Sequence, residues 1–386
     1  MPTILKLNEI SSVIDVALPK TYSTSTDCAN PDAIMLRSFN MHDYNLPDSV
    51  LCVGRAGAGV NNIPVSKFTE KGVVVFNTPG ANANAVKELV ICALNLGSRK
   101  IIEGIEWTLS LKGKADAAQQ VEKGKNGFIG QEIFGKKIGI IGLGAIGALV
   151  ANTCVDLGMV VYGYDPYISI DAAWGLNQNV IRETDINNIY SQCDYISLHV
   201  PLVADTKHLL NADTFAMCKP NTVIINCSRG ELVDNEALIK SLKEGQIGKY
   251  ITDFPCGDII GIPNIVCIPH LGASTPEAED NCARMAARQI ADYIENGNIS
   301  NSVNFPSCSI RRRGKKRLTV MHKNVRNVLN YVTELIGNDG VNISNMLSLA
   351  QDDYAYAILD LDDDLCQETV EKICEYKDVI RIRTLY

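Results

Sequence analysis

Short apolar runs alternate with helical patterns between residues 137 and 272, and this alternation constrains the fold more than any other feature of the 386-residue chain. Each run has the length and the Val, Ile and Tyr content of a β-strand. The runs are KIGII (137–141), MVVYGYD (159–165), DYISLHV (194–200), TVIINC (222–227), KYITD (249–253) and NIVCIP (264–269). Such strands joined by helices are typical of a parallel sheet that is covered on both faces. The pattern predicts an α/β fold with a Rossmann-type, doubly wound parallel sheet.

The sequences that flank this sheet predict two further units. Residues 1–94 repeat the strand–helix alternation on a smaller scale, and a long helical pattern at 276–297 returns the chain to them. The last part of the chain follows the order βαββαβ, which fits a ferredoxin-like sandwich. The predicted divisions are a smaller flavodoxin-like α/β domain (1–94 and 275–300), the Rossmann-type domain inserted into it (95–274), a polar linker (301–316) and the ferredoxin-like domain (317–386).

The composition of the chain argues against several classes of protein. The formal net charge of −8 argues against a polyanion binder, and the one basic run, RRRGKKR (311–317), is interpreted as a solvated linker instead of a nucleic-acid patch. No stretch has the pattern of a signal peptide or of a membrane span. The 13 cysteines form no C-x-x-C pair, so we expect neither a metal site nor a disulfide framework. Free thiols at this number suit a reducing compartment, so we expect a cytoplasmic protein.

A glycine-rich turn follows the first strand of the predicted sheet. In GLGAIG (142–147), Gly142 permits the tight turn, Gly144 lets the backbone approach a pyrophosphate, and Gly147 allows close packing of helix on strand. The next strand ends on Asp165, about 20 residues further along, where a carboxylate accepts hydrogen bonds from ribose hydroxyls and repels a 2′-phosphate. The motif in this context predicts NAD binding, with a purely structural glycine turn as the alternative.

An arginine and a histidine follow two later strands of the same sheet. Arg229 comes just after TVIINC, at the sheet edge where open α/β sheets bind ligands, and a guanidinium can grip a carboxylate with two parallel hydrogen bonds. His270 comes just after the last strand, and a neutral imidazole can take a hydroxyl proton. Together they indicate oxidation of a 2-hydroxy acid. A structural histidine is the alternative for His270, and Cys227 is interpreted as a packing residue instead of a nucleophile.

Four motifs of this region resemble those of the D-2-hydroxyacid dehydrogenases. They are GLGAIG with Asp165, HVPL (199–202), INCSRGELVD (225–234) and PHLGAST (269–275). The resemblance covers nearly the whole chain and implies an NAD-dependent dehydrogenase.

Further motifs resemble one branch of that family, which oxidises D-3-phosphoglycerate to 3-phosphohydroxypyruvate in the first step of L-serine synthesis. RLTVMHKN (317–324) and GVNISNM (340–346) are similar to the ACT regulatory domain of that branch. The motifs similar to its substrate domain are LRSFN (36–40), VGRAGAGVNNI (53–63) and NTPGANANAVKEL (77–89). The resemblance implies that this reaction is the activity and that L-serine inhibits it.

Position by position, the resemblance also implies which residues bind each ligand. Cofactor contacts are implied for Gly142, Gly144, Ala145, Ile146, Gly147, Asp165, His199, Val200, Pro201, Thr206, Cys227, Ser228, Asp253 and Gly272, with Asp253 near the nicotinamide amide. Substrate contacts are implied for Arg37, Ser38, Asn82 and the backbone N–H groups around Arg55, Ala56 and Gly57, and L-serine contacts for His322, Asn324 and Asn342. The cofactor is expected in the cleft between the two α/β domains, where closure excludes water.

Two positions of the predicted active site depart from the family pattern. The glutamate that orients the histidine in the family is Gly257 here, and Asp258 and Asp253 are the nearby carboxylates that can replace it. Without an orienting carboxylate the optimum pH should shift. A second basic residue of the phosphate pocket is Phe39 here. We hypothesise that Lys87 supplies this charge; a surface lysine is the alternative.

The implied L-serine site departs as well, because Arg326-Asn327 stands where the family often has a Pro-Gly turn. Three interpretations therefore stay open: the phosphoglycerate branch, a dehydrogenase for an unphosphorylated acid such as glyoxylate, hydroxypyruvate or 2-oxoglutarate, and a non-catalytic NAD-sensing protein. Family members pair through the nucleotide domain and ACT domains pair edge to edge, so the resemblance implies a homodimer or homotetramer.

Overall fold

The computed structural model describes residues 1–170 and 172–386, and it divides into two compact units. The first unit comprises Met1–Asn82 and Glu279–Tyr386, and the second comprises Ala83–Ala278. One unit is thus inserted into the chain of the other, as the predicted fold class requires.

The N-terminal part of the first unit is a five-stranded parallel sheet with the order β2-β1-β3-β4-β5. Its elements are β1 (Thr3–Lys6), α1 (Ile14–Ala17), β2 (Ser23–Ser25), β3 (Ala33–Leu36), β4 (Cys52–Arg55), α2 (Val65–Glu70) and β5 (Val74–Phe76). The last three strands lie in the apolar runs AIMLRS (33–38), SVLCVGRAG (49–57) and VVVFNTPG (73–80), which predict strands. The first two were not predicted, because only Ile4 and Leu5 of β1 are apolar and β2 has only the polar residues Ser, Thr and Ser.

The second unit contains a seven-stranded parallel sheet with the order β12-β11-β10-β9-β6-β7-β8. Its strands are β6 (Lys137–Ile141), β7 (Val160–Tyr164), β8 (Ile181–Arg182), β9 (Tyr195–Leu198), β10 (Thr222–Asn226), β11 (Ile247–Thr252) and β12 (Ile265–Cys267). Its helices are α3 (Ala83–Ser98), α4 (Ile101–Leu109), α5 (Ala117–Gly124), α6 (Ala145–Asp156), α7 (Ile170–Trp174), α8 (Ile186–Gln192), α9 (Ala212–Met217) and α10 (Asn235–Lys243). The doubly wound sheet is confirmed, with the two-residue β8 as an addition.

Hydrophobic cores cover both faces of this sheet, as its near-continuous apolar strands require. In β10, Val223 and Ile225 belong to one core while Ile224 belongs to the other. The strand order reverses between β6 and β9, and ligands of such sheets bind outside the carboxyl ends of the strands at this point. Most of the predicted cofactor residues follow these strand ends.

The chain continues with α11 (Pro276–Asn296) and the predicted βαββαβ segment. Its elements are β13 (Lys316–Lys323), α12 (Val328–Asn338), β14 (Ile343–Gln351), β15 (Tyr354–Leu361), α13 (Gln367–Cys374) and β16 (Val379–Leu385). The four strands form an antiparallel sheet with the order β14-β15-β13-β16. This element order confirms the predicted ferredoxin-like arrangement.

One core connects the two sheets of the first unit. Ile4 and Met35 from the parallel sheet, Ile290 from α11, and Met321 and Ile358 from the antiparallel sheet are buried in the same cluster. Burial of apolar surface is the main force that holds such layers together. Among the described helices, none combines the length and the apolar character of a membrane span.

Candidate active site

The glycine turn of the second unit has the geometry of a phosphate cradle. Gly142 has a φ of +91°, which residues with a side chain rarely adopt, and Gly147 lies so close to the Gly142 carbonyl that a Cβ would not fit. Gly144 caps the N-terminus of α6, and a Cβ added there would meet no described atom within 4 Å. Ala145 and Ile146 begin the helix, so free N–H groups and the positive end of the helix dipole lie beside this open space.

Asp165 comes directly after β7, and backbone groups hold its carboxylate. Its Oδ2 accepts the N–H of Leu143 and its Oδ1 accepts the N–H of Tyr167, each at 2.8 Å. Because Leu143 belongs to the glycine turn, these bonds fix the carboxylate beside the cradle. This is the position from which an acid accepts hydrogen bonds from ribose hydroxyls.

His199 and Val200 lie against the glycine turn, where a Cβ on Gly142 would meet the His199 carbonyl and the Val200 side chain. The His199 N–H donates to the carbonyl of Ile141 at 2.7 Å, and its Nε2 lies 2.9 Å from Ser197 Oγ. Its Nδ1 is buried without a partner among the described atoms. Burial lowers the pKa of His199 to about 4, so its imidazole is neutral at physiological pH.

Hydroxyl groups fasten the segments that follow β9 and β10. Thr206 Oγ1 donates to the Pro201 carbonyl at 2.6 Å, which closes the loop after β9. Ser228 Oγ donates to the carbonyl of Leu198 at 2.6 Å, which ties the end of β10 to the end of β9. Cys227 is buried, and burial raises the pKa of its thiol to about 12. The thiol therefore packs in the core, which agrees with the packing role predicted for it.

Arg229 and His270, the two predicted catalytic residues, both contact the ring of Phe254. Arg229 is exposed, donates from Nη1 to the Ser228 carbonyl at 2.6 Å, and has its Cζ 5.5 Å from the Phe254 ring centroid. The exposed His270 ring has its centroid 4.5 Å from that of Phe254. The structure thus brings both side chains to one aromatic ring at the carboxyl edge of the sheet.

Asp253 follows β11 and is 1% exposed. Its carboxylate accepts the N–H groups of Leu271 at 2.6 Å and of Gly272 at 2.7 Å. With His270 and Phe254 it lines a cavity of about 820 Å³. In this arrangement the Asp253 carboxylate is directed to the turn that carries His270, while its implied contact with the nicotinamide amide stays a prediction.

The position of the missing glutamate lies open to solvent. Gly257 is exposed, a Cβ there would meet no described atom within 4 Å, and Asp258 beside it is exposed too. Within the part of the chain that the structure describes, no carboxylate is hydrogen-bonded to the His270 ring. An orienting carboxylate of the family type is therefore absent from this arrangement.

The predicted substrate residues of the first unit lie at the carboxyl ends of two neighbouring strands, β3 and β4. Arg37 and Ser38 follow β3, and Arg55 ends β4 and donates from Nε to the Arg37 carbonyl at 3.2 Å. Ser38 Oγ accepts from Asn8 Nδ2 at 3.3 Å. Arg37 Nη1 lies 2.5 Å from Glu279 Oε1, and both residues line a cavity of about 650 Å³. Glu279 therefore competes with any anion for the Arg37 guanidinium.

The backbone N–H groups that were expected to face a carboxylate already have acceptors. The N–H of Ala56 donates to the Leu36 carbonyl at 2.8 Å, and that of Gly57 to the Arg55 carbonyl at 2.9 Å. A ligand carboxylate would have to share or replace these bonds. The implied contact stays a prediction.

Three other predicted or departing positions have different surroundings. Asn82 is half-buried. The Lys87 side chain on α3 is 18% exposed, with Nζ 3.8 Å from Glu88 Oε1. Phe39 packs edge-on against Tyr44, with ring centroids 5.9 Å apart. The Lys87 ammonium is thus partly enclosed, whereas Phe39 contributes packing and no charge.

Two of the three implied L-serine contacts lie together. His322 and Asn324 line a cavity of about 270 Å³ in the C-terminal part of the first unit. His322 Nδ1 lies 2.7 Å from the Lys323 carbonyl, and its Nε2 is buried without a partner among the described atoms. Asn342 does not line this cavity in the described structure, and it donates to Asp362 Oδ2 at 2.7 Å.

Three further residues shape these sites and were not predicted. Asn226 is fully buried at the end of β10, and it donates to the Arg229 carbonyl at 2.8 Å. The sequence feature that could have indicated Asn226 is its polar side chain at the end of an apolar strand. Phe254 has no signal beyond its place after Asp253. Glu279 pairs with a residue far away in sequence, which no local pattern indicates.

The chain is similar to known proteins over most of its length. Residues 107–272 match the family model for the D-isomer specific 2-hydroxyacid dehydrogenase, NAD binding domain. A D-3-phosphoglycerate dehydrogenase of Haemophilus influenzae is 31% identical over 352 residues, which are 87% of this chain and 82% of that protein. The chain belongs to the D-isomer specific 2-hydroxyacid dehydrogenase family.

Other members of the family extend the comparison. A D-3-phosphoglycerate dehydrogenase of Methanocaldococcus jannaschii is 37% identical over 269 residues, which are 68% of this chain and 49% of that protein. The chain thus spans about half the length of several curated relatives that it matches. The crystal structure of an NAD⁺-bound 3-phosphoglycerate dehydrogenase of Entamoeba histolytica is 25% identical, with a TM-score of 0.61 over 78% of this chain and 98% of that one.

Residues 107–272 of the second unit match the NAD-binding domain of this family, and the residues there fit that cofactor. The open space over Gly144 and the start of α6 suit a pyrophosphate. The fixed Asp165 carboxylate suits the ribose hydroxyls of NAD and disfavours a 2′-phosphate. The predicted cofactor is therefore confirmed by the family match, while the individual contacts stay predictions.

Proposed function

We propose that the chain oxidises D-3-phosphoglycerate to 3-phosphohydroxypyruvate with NAD, reversibly, as the first step of L-serine synthesis. The observation that carries this proposal is the identity of 31% to the Haemophilus influenzae enzyme of that name over 87% of this chain. The similar Entamoeba histolytica structure, an NAD⁺-bound 3-phosphoglycerate dehydrogenase, supports it further.

The proposed chemistry assigns separate tasks to two side chains of the second unit. The exposed Arg229 guanidinium binds the substrate carboxylate, because it can form two parallel charge-assisted hydrogen bonds. The His270 imidazole takes the proton of the hydroxyl as the carbonyl forms. The nicotinamide ring of NAD, when bound, would accept the hydride. The contact of both side chains with Phe254 supports a shared place of action.

The proposal is tested by following NADH oxidation with 3-phosphohydroxypyruvate beside hydroxypyruvate and 2-oxoglutarate. We expect the phosphorylated acid to have the highest kcat/KM. His270→Ala should lower kcat by on the order of 100-fold or more, because general acid–base catalysis contributes that much. Arg229→Ala should mainly raise KM, and Lys87→Ala should raise KM for the phosphorylated acid alone if Lys87 faces the substrate phosphate.

Arg182→Ala is the matched control, because Arg182 is exposed on β8, at the opposite edge of the sheet from β12. It should keep wild-type kinetics, and all variants should bind NADH like the wild type in a fluorescence titration. Binding of NADH without turnover of any acid would contradict the proposal and favour an NAD-sensing protein.

A second candidate function is reduction of an unphosphorylated 2-keto acid such as glyoxylate, hydroxypyruvate or 2-oxoglutarate. The uncharged Phe39 and the pairing of Arg37 with Glu279 favour it, because the first supplies no positive charge to a phosphate and the second partly neutralises one. Equal or higher kcat/KM with an unphosphorylated acid in the same assay would establish this alternative.

For the C-terminal part we propose an ACT-type regulatory domain that binds L-serine. The cavity with the unpartnered His322 Nε2 supports a ligand with a hydrogen-bond donor, because Nδ1 faces a carbonyl and Nε2 is left as the acceptor. L-serine should inhibit the wild type and have no effect on His322→Ala. Inhibition that survives this change would place the effector elsewhere.

We also propose a cytoplasmic homodimer or homotetramer with the domain division predicted from the sequence. The exposed apolar side chains of Ile105 and Leu109 on α4, and of Ile129 and Phe134 beyond α5, support pairing through the second unit. The edge strand β14, with exposed Met346 and Leu349, supports pairing of antiparallel sheets. Analytical ultracentrifugation measures the mass of the assembly.

A further inference from the structure

The turn that carries His270 needs support from outside itself. His270 has a φ of +55°, in the left-handed region that residues with a side chain adopt at a cost in free energy. Its own N–H donates to the carbonyl of Ile268 at 2.9 Å, and its carbonyl accepts a long bond of 3.4 Å from Ser274 Oγ. A base must be held within a fraction of an ångström of its working position, so the group that fixes this turn matters for catalysis.

Asp253 is the group that holds the turn. Each oxygen of its carboxylate accepts one N–H, from Leu271 at 2.6 Å and from Gly272 at 2.7 Å, the two residues that follow His270. The carboxylate comes from the end of β11, and the turn follows the neighbouring strand β12. Asp253 is 1% exposed, and charge-assisted bonds of this kind, shielded from water, are strong.

The close fit at Gly272 supports the same conclusion. A Cβ at this position would lie 2.9 Å from Asp253 Oδ2 and 3.4 Å from a methyl group of Val86. The carboxylate therefore approaches the backbone in a space that only a glycine leaves open.

The next residue along the chain supports the imidazole ring itself. Phe254 follows Asp253, and its ring is tilted by 47° against the His270 ring at 4.5 Å. Asp253 thus holds the backbone on one side of His270 while Phe254 limits the movement of its ring.

The rival carboxylate is less suited to this task. Asp258 is exposed and, within the described structure, does not line the cavity that Asp253, Phe254 and His270 share. Gly257 has no side chain that could orient His270. A Cβ at this position would meet no described atom within 4 Å, so there is space for a larger residue.

We propose that Asp253 is a positioning residue, whose carboxylate fixes the turn that aims His270 and so replaces an orienting glutamate at position 257. The expected effect of Asp253 on kcat rests on the proposed function. The expected effect of Asp253 on the stability of the turn does not. It differs from a cofactor contact in what the carboxylate holds, which is the backbone of the turn that carries His270.

The structural consequence is tested by amide hydrogen exchange on the whole chain, resolved at Leu271 and Gly272. Asp253→Asn keeps the shape of the side chain, but its NH₂ group cannot accept an N–H, so one of the two bonds is lost. We expect exchange at these two amides to rise by on the order of tenfold, with strand β6 as the unchanged internal reference. Asp258→Asn is the matched control and should leave both amides protected. Unchanged protection in Asp253→Asn would overturn the proposal.

The kinetic consequence separates positioning from cofactor binding. Asp253→Asn should lower kcat by on the order of 10- to 100-fold, while the Kd for NADH stays near the wild-type value. The double variant Asp253→Asn with Gly257→Glu should recover part of this loss, because the added carboxylate can orient the ring. A weaker NADH complex with unchanged kcat would assign Asp253 to the cofactor and overturn the proposal.

A second variant covers the case in which Asp253→Asn does not fold. In Gly272→Ala the added methyl group would lie 2.9 Å from Asp253 Oδ2 and displace the carboxylate from the turn. The variant should therefore raise exchange at the same two amides and lower kcat. Wild-type exchange and kcat in Gly272→Ala would contradict the proposal. If the wild type turns over no acid, the proposed function fails, and hydrogen exchange alone still decides whether Asp253 holds the turn.

Discussion

At the scale of single residues, burial keeps two groups beside the candidate site neutral. The imidazole of His199 has its pKa lowered to about 4, and the thiol of Cys227 has its pKa raised to about 12, in both cases because burial disfavours the charged form. At physiological pH no charged His199 therefore attracts the substrate carboxylate away from the exposed Arg229. No Cys227 thiolate attracts the Arg229 guanidinium either. This arrangement suits the binding of a single carboxylate.

The neutral state of His199 predicts a dependence of stability on pH. An unfolded histidine has a pKa near 6.5 and the folded His199 one of about 4, so between these values the unfolded chain binds more protons. The free energy of unfolding of the second unit should therefore fall as the pH drops from 6.5 to 4. His199→Gln should remove roughly 1–2 kcal/mol of this fall, less than the full shift because the residue keeps some exposure.

Tryptophan fluorescence during urea unfolding at a series of pH values measures this effect. Both tryptophans of the chain, Trp107 and Trp174, belong to the second unit. Parallel curves for the wild type and His199→Gln between pH 6.5 and 4 would contradict the expected charge state of His199.

At the scale of elements, the turn between β6 and α6 assigns different tasks to glycines three residues apart. A Cβ on Gly147 would collide with the Gly142 carbonyl, whereas a Cβ on Gly144 would project into open space. Gly147 is thus needed for the fold of the turn, and Gly144 for the approach of a ligand.

Alanine at each position should separate these tasks. Gly147→Ala should lower both the melting temperature and NADH affinity, because the helix must move away from the strand. Gly144→Ala should leave the melting temperature unchanged and weaken NADH binding by on the order of tenfold, since the added methyl group occupies the cradle. Thermal unfolding and fluorescence titration of both variants make the comparison. Equal NADH affinity in Gly144→Ala and wild type would show that the cofactor pyrophosphate does not bind beside Gly144.

At the scale of the whole molecule, a buried arginine, paired with an aspartate of its own sheet, fastens the C-terminal sheet to the rest of the first unit. Arg317 on β13 and Asp360 on β15 are almost fully buried, with Nε 2.7 Å from Oδ1. The same guanidinium donates to the carbonyl of Asn296 at 2.7 Å and of Ile310 at 3.2 Å. The segment before β13 is therefore held against the sheet by specific bonds.

Removal of one member of this pair should be costly. Arg317→Met leaves the buried Asp360 carboxylate without its counter-charge, although the N–H of Arg313 still donates to it, so the change should lower the free energy of unfolding by about 3–5 kcal/mol. The double variant Arg317→Met with Asp360→Leu should lose clearly less, because no buried charge remains. Scanning calorimetry of the three proteins measures the difference. Equal losses in the single and double variants would show that packing, and not the charge, dominates.

The sequence by itself determined the elements whose signals are local. The Val- and Ile-rich strands β6, β7, β9, β10, β11 and β12, the glycine turn with Asp165, and the βαββαβ order of the C-terminal part were predicted because periodicity and turn chemistry act over a few residues. The same locality explains why β1, β2 and β8 were missed, since only Ile4 and Leu5 of β1 are apolar, β2 is polar throughout, and β8 consists of two exposed residues.

Only the tertiary structure decided which distant residues meet. Asp253 accepts from Leu271 and Gly272 because β11 and β12 lie side by side, and Arg37 meets Glu279 because α11 returns to the first sheet. The two sheets of the first unit share one core for the same reason. Such contacts depend on how whole layers pack, and packing selects partners by shape and burial in three dimensions, which the order of residues along the chain does not record.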